Sequence, residues 1–164
     1  MELIFDLDNT IINSNAALTF REQRVWKSAY DQIPNFVPFG ELIPIIQKLA
    51  VSHRVFIVSS SPASYIRRVC EFWQIPYSGI IAYHDTKKHK PHPEPFLTIL
   101  ERFNLSADNC ISFGDQESDI VASKAARIIS VGCLWGAGDI ERLIESGPSY
   151  LLNTPGEIFD VISF

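Results

Sequence analysis

The segment from Leu3 to Thr10 reads Leu-Ile-Phe-Asp-Leu-Asp-Asn-Thr, so that an apolar run is followed at once by two carboxylates. The apolar run predicts a short buried strand. Asp6 and Asp8 are two residues apart and therefore point the same way if the backbone stays extended. In that arrangement one carboxylate can attack a substrate while the other handles a proton. Taken alone, the segment is explained equally well as a turn rich in Asp and Asn.

Outward from this segment, apolar runs that predict strands alternate with stretches that predict helices. The predicted strands are 3–5, 54–58, 79–82, 110–113, 128–131 and 150–152, and the predicted helices are 13–32, 41–50, 61–73, 93–103, 117–126, 139–145 and 155–162. Residues 33–40 are expected to form a loop, and Ser61 is expected to cap the helix that follows it, with Pro62 at the first helical position. This alternation predicts an α/β fold of the three-layer, Rossmann-like type, in which helices cover both faces of a parallel sheet.

The composition is that of an ordinary globular protein, with 164 residues, 46% of them hydrophobic and 20% charged. A net charge of −5 without a basic cluster argues against general nucleic-acid binding, which needs a basic face. No apolar run approaches the roughly 20 residues that span a bilayer, and the N-terminus lacks the basic start of a signal peptide. Three widely separated cysteines favour buried thiols over disulfides or zinc. The expected location is the cytosol.

Three further groups of polar residues follow predicted strands or precede predicted helices. Ser59 and Ser60 come at a strand end and can hold a phosphate, although plain helix capping is the alternative. Lys90 can neutralise crowded anions, or it is a solvated lysine in a proline-rich loop. The acids between Gly114 and Asp119 suit Mg²⁺, or they complement a helix dipole. In this order, an acid pair, a hydroxyl, a lysine and a second acid pair are the parts of a phosphoryl-transfer site.

These four motifs resemble those of the haloacid dehalogenase superfamily of phosphatases, and the resemblance extends over nearly the whole chain. Asp6 to Thr10 matches the family pattern Asp-x-Asp-x-Thr, and Gly114 to Asp119 matches Gly-Asp-x-x-x-Asp. Ser59 takes the place of the Ser or Thr at the strand end, and Lys90 takes that of the family lysine. Residues 76–96 and 131–155 look most like the phosphoglycolate-phosphatase-like branch.

The resemblance implies a magnesium-dependent phosphatase that works through an aspartyl-phosphate. Asp6 would attack phosphorus, while Asp8 would protonate the leaving oxygen and then activate water. The resemblance assigns phosphate contacts to Ser59, Ser60, Lys90 and Thr10, and Mg²⁺ ligands to Asp6, the Asp8 carbonyl oxygen, Asp115 and Asp119. Like charges a few ångströms apart repel by about 4 kcal/mol at an effective dielectric constant of about 20, and Lys90 and Mg²⁺ would offset that repulsion. A second acid at the position of Asp8 favours phosphoesters over haloacids as substrates.

The length departs from the pattern of that branch, which carries a helical cap domain between the first two motifs. Here the chain is expected to form a single domain over residues 1–164, in which residues 13–39 are a short cap-like insert. A short insert predicts an open site. Either the substrate is a phosphorylated macromolecule, or a neighbouring subunit of a homo-oligomer closes the site over a phosphorylated small molecule. Trp26, Tyr30 and Phe36 are candidates for a lid or an interface, with packing onto the core as the alternative.

Two other functions use the same fold. A phosphotransferase or mutase would use the same intermediate but needs a site sealed against water. A non-catalytic interaction protein would retain the fold without turnover, but the motif residues are all present in this chain.

Overall fold

The computed structural model describes residues 1–162 and contains every strand that the sequence predicts. Residues 163 and 164, the last two of the expected domain, lie outside the described residues. The strands are β1 (Glu2–Phe5), β2 (Ile12–Asn13), β3 (Val37–Pro38), β4 (Arg54–Val58), β5 (Gly79–Ile81), β6 (Cys110–Gly114), β7 (Ile129–Cys133) and β8 (Tyr150–Leu152).

The helices follow the predicted alternation from residue 41 onward. They are α1 (Leu18–Glu22), α2 (Trp26–Asp31), α3 (Leu42–Leu49), α4 (Ala63–Trp73), α5 (Glu94–Phe103), α6 (Glu117–Ala125), α7 (Ile140–Glu145) and α8 (Ile158–Ile162). A 3₁₀ turn at Pro155–Glu157 begins the segment predicted as the closing helix, so α8 is shorter than expected. In the described part of the chain, no helix combines the length and the apolar character needed to cross a membrane.

Six strands form one sheet in the order β5-β4-β1-β6-β7-β8, and every neighbouring pair is parallel. Alternate residues of the central strands serve opposite faces. Leu3 and Phe5 pack into one core with α3, α4 and α8, while Ile4 packs into a second core with α5 and α6. The α/β sheet covered on both faces is therefore confirmed. Because β1 lies between β4 and β6, the residues after these three strands meet at one edge.

The prediction of a single helix over residues 13–32 is wrong. Two short helices, α1 and α2, are separated by residues 23–25, where Arg24 has a φ of +57°. A residue in the left-handed region cannot continue a right-handed helix. The predicted loop 33–40 also contains a short strand, β3, which pairs antiparallel with β2. The segment from β2 through β3, residues 12–38, is called the insert below.

Candidate active site

Three acids converge at the carboxyl ends of β1 and β6. Asp6 follows β1, and its backbone N–H donates to the carbonyl oxygen of Phe113 at 2.9 Å, which joins the ends of the two strands. Asp115 follows β6, and Asp119 lies in the first turn of α6. One carboxylate oxygen from each of these acids lies within 4.8 Å of the others. Residues that are more than 100 positions apart in sequence therefore form one cluster.

Lys90 lies inside this cluster. Its Nζ donates to Asp6 Oδ1 at 2.8 Å, to Asp119 Oδ1 at 2.5 Å and to the carbonyl oxygen of Val58 at 3.0 Å. The Lys90 side chain is 5% exposed, so its charge is screened little by water. The ammonium group therefore neutralises part of the negative charge of the three acids at this edge of the sheet.

Burial makes this cluster costly to ionise. Burial raises the pKa of Asp6 from 3.8 to about 7, Lys90 opposes that rise, and Asp119 adds to it. Burial, reinforced by Asp6 and Asp119, raises the pKa of Asp115 to about 8. Burial alone lowers the pKa of Lys90, but Asp119 and Asp6 outweigh it and raise that pKa. One ammonium group is therefore too little to balance the three carboxylates, two of which are buried.

The composition of the cluster fits a small divalent cation. Its ligand atoms are carboxylate oxygens, the hard donors that Mg²⁺ prefers over nitrogen or sulfur. Carboxyl groups whose pKa values are raised by burial and mutual repulsion are those that an added cation stabilises most. Thr10 supports the cluster from below, since its hydroxyl donates to Asp115 Oδ1 at 2.8 Å.

Local geometry explains the spacing of the second acidic motif. The backbone N–H of Gln116 donates to Asp119 Oδ2 at 3.1 Å, which fixes this carboxylate at the start of α6. Gly114 passes so close to Asp119 that a Cβ atom would lie 2.3 Å from the Asp119 Cβ. Glycine at position 114 therefore lets α6 approach the sheet closely enough for Asp119 to reach Lys90.

Asp8 is surrounded by hydrogen-bond donors. Its Oδ1 accepts from the Ser14 hydroxyl at 2.6 Å and from the Tyr65 hydroxyl at 2.8 Å. Its Oδ2 accepts from the Ser61 hydroxyl at 3.0 Å and pairs with Arg21 Nη1 at 2.8 Å. Burial and the negative charge of Asp8 raise the pKa of Tyr65, so its phenol remains a donor. These four donors hold the Asp8 carboxylate from several sides.

The predicted role of Ser61 as a helix cap is wrong. Helix α4 begins at Ala63 and Pro62 occupies the capping position, which leaves the Ser61 hydroxyl to donate to Asp8. The hydroxyl of Ser61 is therefore directed to Asp8 and not to the first turn of α4.

A cavity of about 380 Å³ opens above the cluster and brings together most of the predicted phosphate-binding residues. Asp6, Asp8, Ser59, Ser60, Lys90 and Asp119 all line it. Thr10, also predicted to bind phosphate, is fully buried, and its hydroxyl is used by Asp115. Thr10 is therefore placed beneath the acids and not on the cavity wall.

On the side of the cavity that the insert supplies, sequence reasoning named Trp26 as a candidate but missed its neighbours. Five residues of the insert line it: Leu18, Arg21, Glu22, Arg24 and Trp26. Tyr83 and His84, which follow β5, line it as well. A helix predicted to run unbroken through residue 24 gives no indication of which of these side chains face the site.

The three aromatic residues proposed as a lid or interface surround Tyr65. The ring centroids of Trp26, Tyr30 and Phe36 lie 5.8, 6.4 and 6.4 Å from that of Tyr65. Phe36 is 3% exposed, and Trp26 also lines the cavity. The insert is thus packed on α4 by aromatic contacts, and one of those aromatic side chains reaches the site.

Comparison with known proteins agrees with this architecture. A family model described as haloacid dehalogenase-like hydrolase matches residues 20–133, a stretch that contains Ser59, Lys90, Asp115 and Asp119 but not Asp6 or Asp8. The phosphoglycolate phosphatase of Colwellia psychrerythraea is 31% identical over 111 residues, which are 66% of this chain and 49% of that relative. The chain thus spans about half the length of this curated relative.

Solved structures show the same fold over almost the entire chain. A haloacid dehalogenase-like family protein from Streptococcus pneumoniae superposes with a TM-score of 0.82 at 18% identity, covering 98% of this chain and 97% of that one. A hydrolase of subfamily IA, variant 1, from Geobacter sulfurreducens gives 0.80 at 18% identity, covering 98% of each chain. At this level of identity the likeness concerns the fold.

Proposed function

Because the chain belongs to the family of haloacid dehalogenase-like hydrolases, we propose that it hydrolyses a phosphomonoester through a phosphoryl group carried on Asp6. The observation that supports this proposal most is the position of Lys90 between Asp6 and Asp119 at the floor of the cavity. A carboxylate attacks a phosphate dianion only where cations reduce the repulsion between them. An ammonium group 2.8 Å from Asp6 Oδ1 supplies one such cation.

The proposed reaction has two steps. In the first, a carboxylate oxygen of Asp6 forms a bond to phosphorus while the ester oxygen leaves and takes a proton from Asp8. In the second, Asp8 takes a proton from water, the resulting hydroxide attacks phosphorus, and inorganic phosphate leaves the restored Asp6 carboxylate. Ser59, Ser60 and Lys90 line the cavity where the phosphoryl oxygens would lie.

Mg²⁺ is the proposed cofactor. Asp6, Asp115 and Asp119 would hold it through carboxylate oxygens, and the carbonyl oxygen of Asp8 is the further ligand that the resemblance implies. When bound, a divalent cation of this kind offsets the charge of the nucleophile and of the phosphoryl oxygens. The chain's own part is to preorganise the acids, and Thr10 and Gln116 do so by hydrogen bonds to Asp115 and Asp119.

A small phosphorylated metabolite is the proposed substrate. A cavity of about 380 Å³ lies within the range of roughly 300–1,000 Å³ that is usual for small-molecule sites. The insert supplies one wall of this cavity, so the site is lined on that side without a large cap.

The experiment that tests the proposal measures Mg²⁺-dependent release of phosphate from 4-nitrophenyl phosphate and from a panel of metabolite phosphates. Asp6→Asn keeps the size of the side chain and removes the nucleophile, so we expect no turnover. Asp108→Asn is the matched control, because Asp108 is exposed and precedes β6 at the opposite end of the sheet. Mass spectrometry of the wild-type protein quenched in acid should find a phosphoryl group on Asp6. Undiminished turnover by Asp6→Asn would refute the proposal, and free phosphate as the product distinguishes a hydrolase from a phosphotransferase.

A further inference from the structure

We propose that Arg21 and Tyr65 are positioning residues for Asp8, so that the insert holds the proton-transfer group in place as well as covering the site. This inference rests on the proposed function, since it assigns to Asp8 the proton transfer of that reaction. The inference gives the insert a part in the reaction itself, although so short a segment would be expected only to cover the site.

The first observation is the burial of the contact between Arg21 and Asp8. Arg21 Nη1 lies 2.8 Å from Asp8 Oδ2, and the two side chains are 14% and 12% exposed. Ion pairs on the surface contribute little because water screens them, whereas loss of one partner of a largely buried pair leaves the other charge uncompensated. Asp8 follows β1 and precedes the insert in sequence, so a partner from α1 adds a constraint that β1 does not provide.

The second observation is that the insert is built around Tyr65, whose hydroxyl is itself bonded to Asp8. Trp26 and Phe36 pack against the Tyr65 ring, and the Arg21 guanidinium carbon lies 5.9 Å from the centre of that ring. The Tyr65 hydroxyl is 2.8 Å from Asp8 Oδ1. The aromatic packing therefore fixes both Tyr65 and the arginine that lies over it.

The third observation is that the two oxygens of Asp8 are held separately. Tyr65 and Ser14 donate to Oδ1, while Arg21 and Ser61 contact Oδ2. A carboxylate held at both oxygens cannot rotate about its terminal torsion without losing bonds on both sides. Arg21 also has a buried Nε with no hydrogen-bond partner among the described residues, so this guanidinium makes its ion pair without saturating its own donors. The guanidinium group is therefore placed where it contacts Asp8, although its Nε has no hydrogen-bond partner there among the described residues.

A positioning role has a consequence that depends on the leaving group. A poor leaving group such as an alkoxide needs its proton from Asp8, whereas 4-nitrophenolate leaves as a stable anion without one. Misplacement of Asp8 should therefore reduce kcat/KM for alkyl phosphates far more than for 4-nitrophenyl phosphate. The ratio of kcat to KM reports the step in which the ester bond breaks, whatever the rate of the later hydrolysis.

The experiment compares wild type, Arg21→Ala, Arg21→Lys and Tyr65→Phe on 4-nitrophenyl phosphate and on the alkyl phosphate that the wild type hydrolyses best. General acid catalysis is worth about 10²–10⁴-fold, so we expect Arg21→Ala to lose about 10²-fold on the alkyl ester and less than about 5-fold on the aryl ester. Arg21→Lys should recover part of the loss. Tyr65→Phe keeps the ring among the insert's aromatic residues and should show the same selective loss.

Lys27→Ala is the matched control, because Lys27 is an exposed cation of the same insert and its removal changes the net charge equally. Lys27→Ala should leave kcat/KM unchanged on both the alkyl and the aryl ester. Circular dichroism and the unfolding temperature show whether each variant is folded. Should Arg21→Ala fail to fold, Arg21→Lys and Tyr65→Phe carry the comparison.

Equal losses on both esters, or a loss that appears only in KM, would overturn the inference, because Arg21 would then act by binding the substrate. Unchanged kinetics in folded variants would overturn it as well. These outcomes leave the proposed function intact as long as the wild type is active and Asp6→Asn is not. A wild-type protein that hydrolyses neither ester would refute both proposals together.

Discussion

The acidic cluster makes the stability of the protein depend on pH in an unusual direction when divalent cations are absent. Asp6 and Asp115 have pKa values of about 7 and about 8 in the folded protein, against 3.8 for an ordinary aspartate. Between pH 4 and pH 8 the folded protein therefore binds more protons at these groups than the unfolded chain does. The free energy of unfolding falls with pH wherever the folded state binds more protons. We expect this contribution to be largest below pH 4 and to be lost progressively as pH rises from about 4 to the folded pKa values of about 7 and about 8.

The magnitude follows from the two pKa values. At 1.36 kcal/mol per pH unit, the raised pKa of Asp6 alone removes about 3 kcal/mol of stability between pH 5 and pH 8.5. The corresponding figure for Asp115 is about 4 kcal/mol. The two groups repel each other and titrate together, so we take the smaller figure as the expected minimum. A loss of about 3 kcal/mol is large against the total of roughly 5–15 kcal/mol that is usual for a domain.

The assay is urea unfolding followed by circular dichroism at pH 5, 6, 7, 8 and 8.5, in buffers that contain EDTA. Asp115→Asn is the matched variant, because it removes the ionisable group while an amide oxygen can still accept from Thr10. The variant should show a smaller fall in stability with pH than the wild type, and the difference between them isolates the cluster from the histidines. At pH 8.5 a cation at about 100 times its Kd should restore about 2.7 kcal/mol to the wild type. Identical pH dependence in the two proteins would refute this reasoning.

Two further substitutions test the site from either side. Lys90→Met removes the buried cation beside Asp6. Because about 4 kcal/mol of charge repulsion then acts against attack, kcat/KM should fall about 10³-fold. Lys88→Met, at an exposed neighbour, is the control, and a fall of less than about tenfold in Lys90→Met would contradict the role of Lys90. In Gly136→Ala the new Cβ would lie 1.6 Å from the carbonyl oxygen of Asn9, so the loop after Asp8 must shift at a cost of about 1–3 kcal/mol. Thermal unfolding measures that cost. Gly138→Ala is the control, because a Cβ added at Gly138 would have no heavy atom of residues 1–162 within 4 Å apart from its chain neighbours. Equal unfolding temperatures would show that the contact at Gly136 is not tight.

The sheet could be predicted from the sequence because its strands are buried on both faces. A strand such as Arg54–Val58 must be apolar along almost its whole length, and such a run is visible without any knowledge of its neighbours. The acids after β1 and β6 could be placed near each other for the same reason, since parallel strands bring their carboxyl ends to one edge. Lys90 could be assigned from the resemblance to a known family. Its three contacts with Asp6, Asp119 and the Val58 carbonyl oxygen required the structure.

The insert could not be predicted in the same way, because its conformation depends on contacts with residues that are distant in sequence, such as Tyr65. Arg24 lies at a positive φ that its residue type does not indicate, and this is where α1 and α2 are separated. Tyr65, Ser61 and Ser14 gave no signal either, since a hydroxyl that bonds Asp8 looks in sequence like a cap or a surface residue. Thr10 was expected to contact phosphate and instead donates to Asp115, a difference of a few ångströms that the motif spacing does not resolve.

The two acids of the first motif are thus held by different parts of the chain. Asp6 is fixed by groups of the sheet edge, through Lys90 and the carbonyl oxygen of Phe113. Asp8 is fixed by groups that reach it from the insert and from α4. Because the proposed attack on phosphorus and the proposed proton transfer depend on these separate supports, damage to the sheet edge should stop both steps of the proposed reaction. Damage to the insert should instead select among substrates by how much each leaving group needs a proton. A short insert that orients Asp8 can therefore influence substrate choice without enclosing the substrate, which is how we reconcile its small size with a site of this kind.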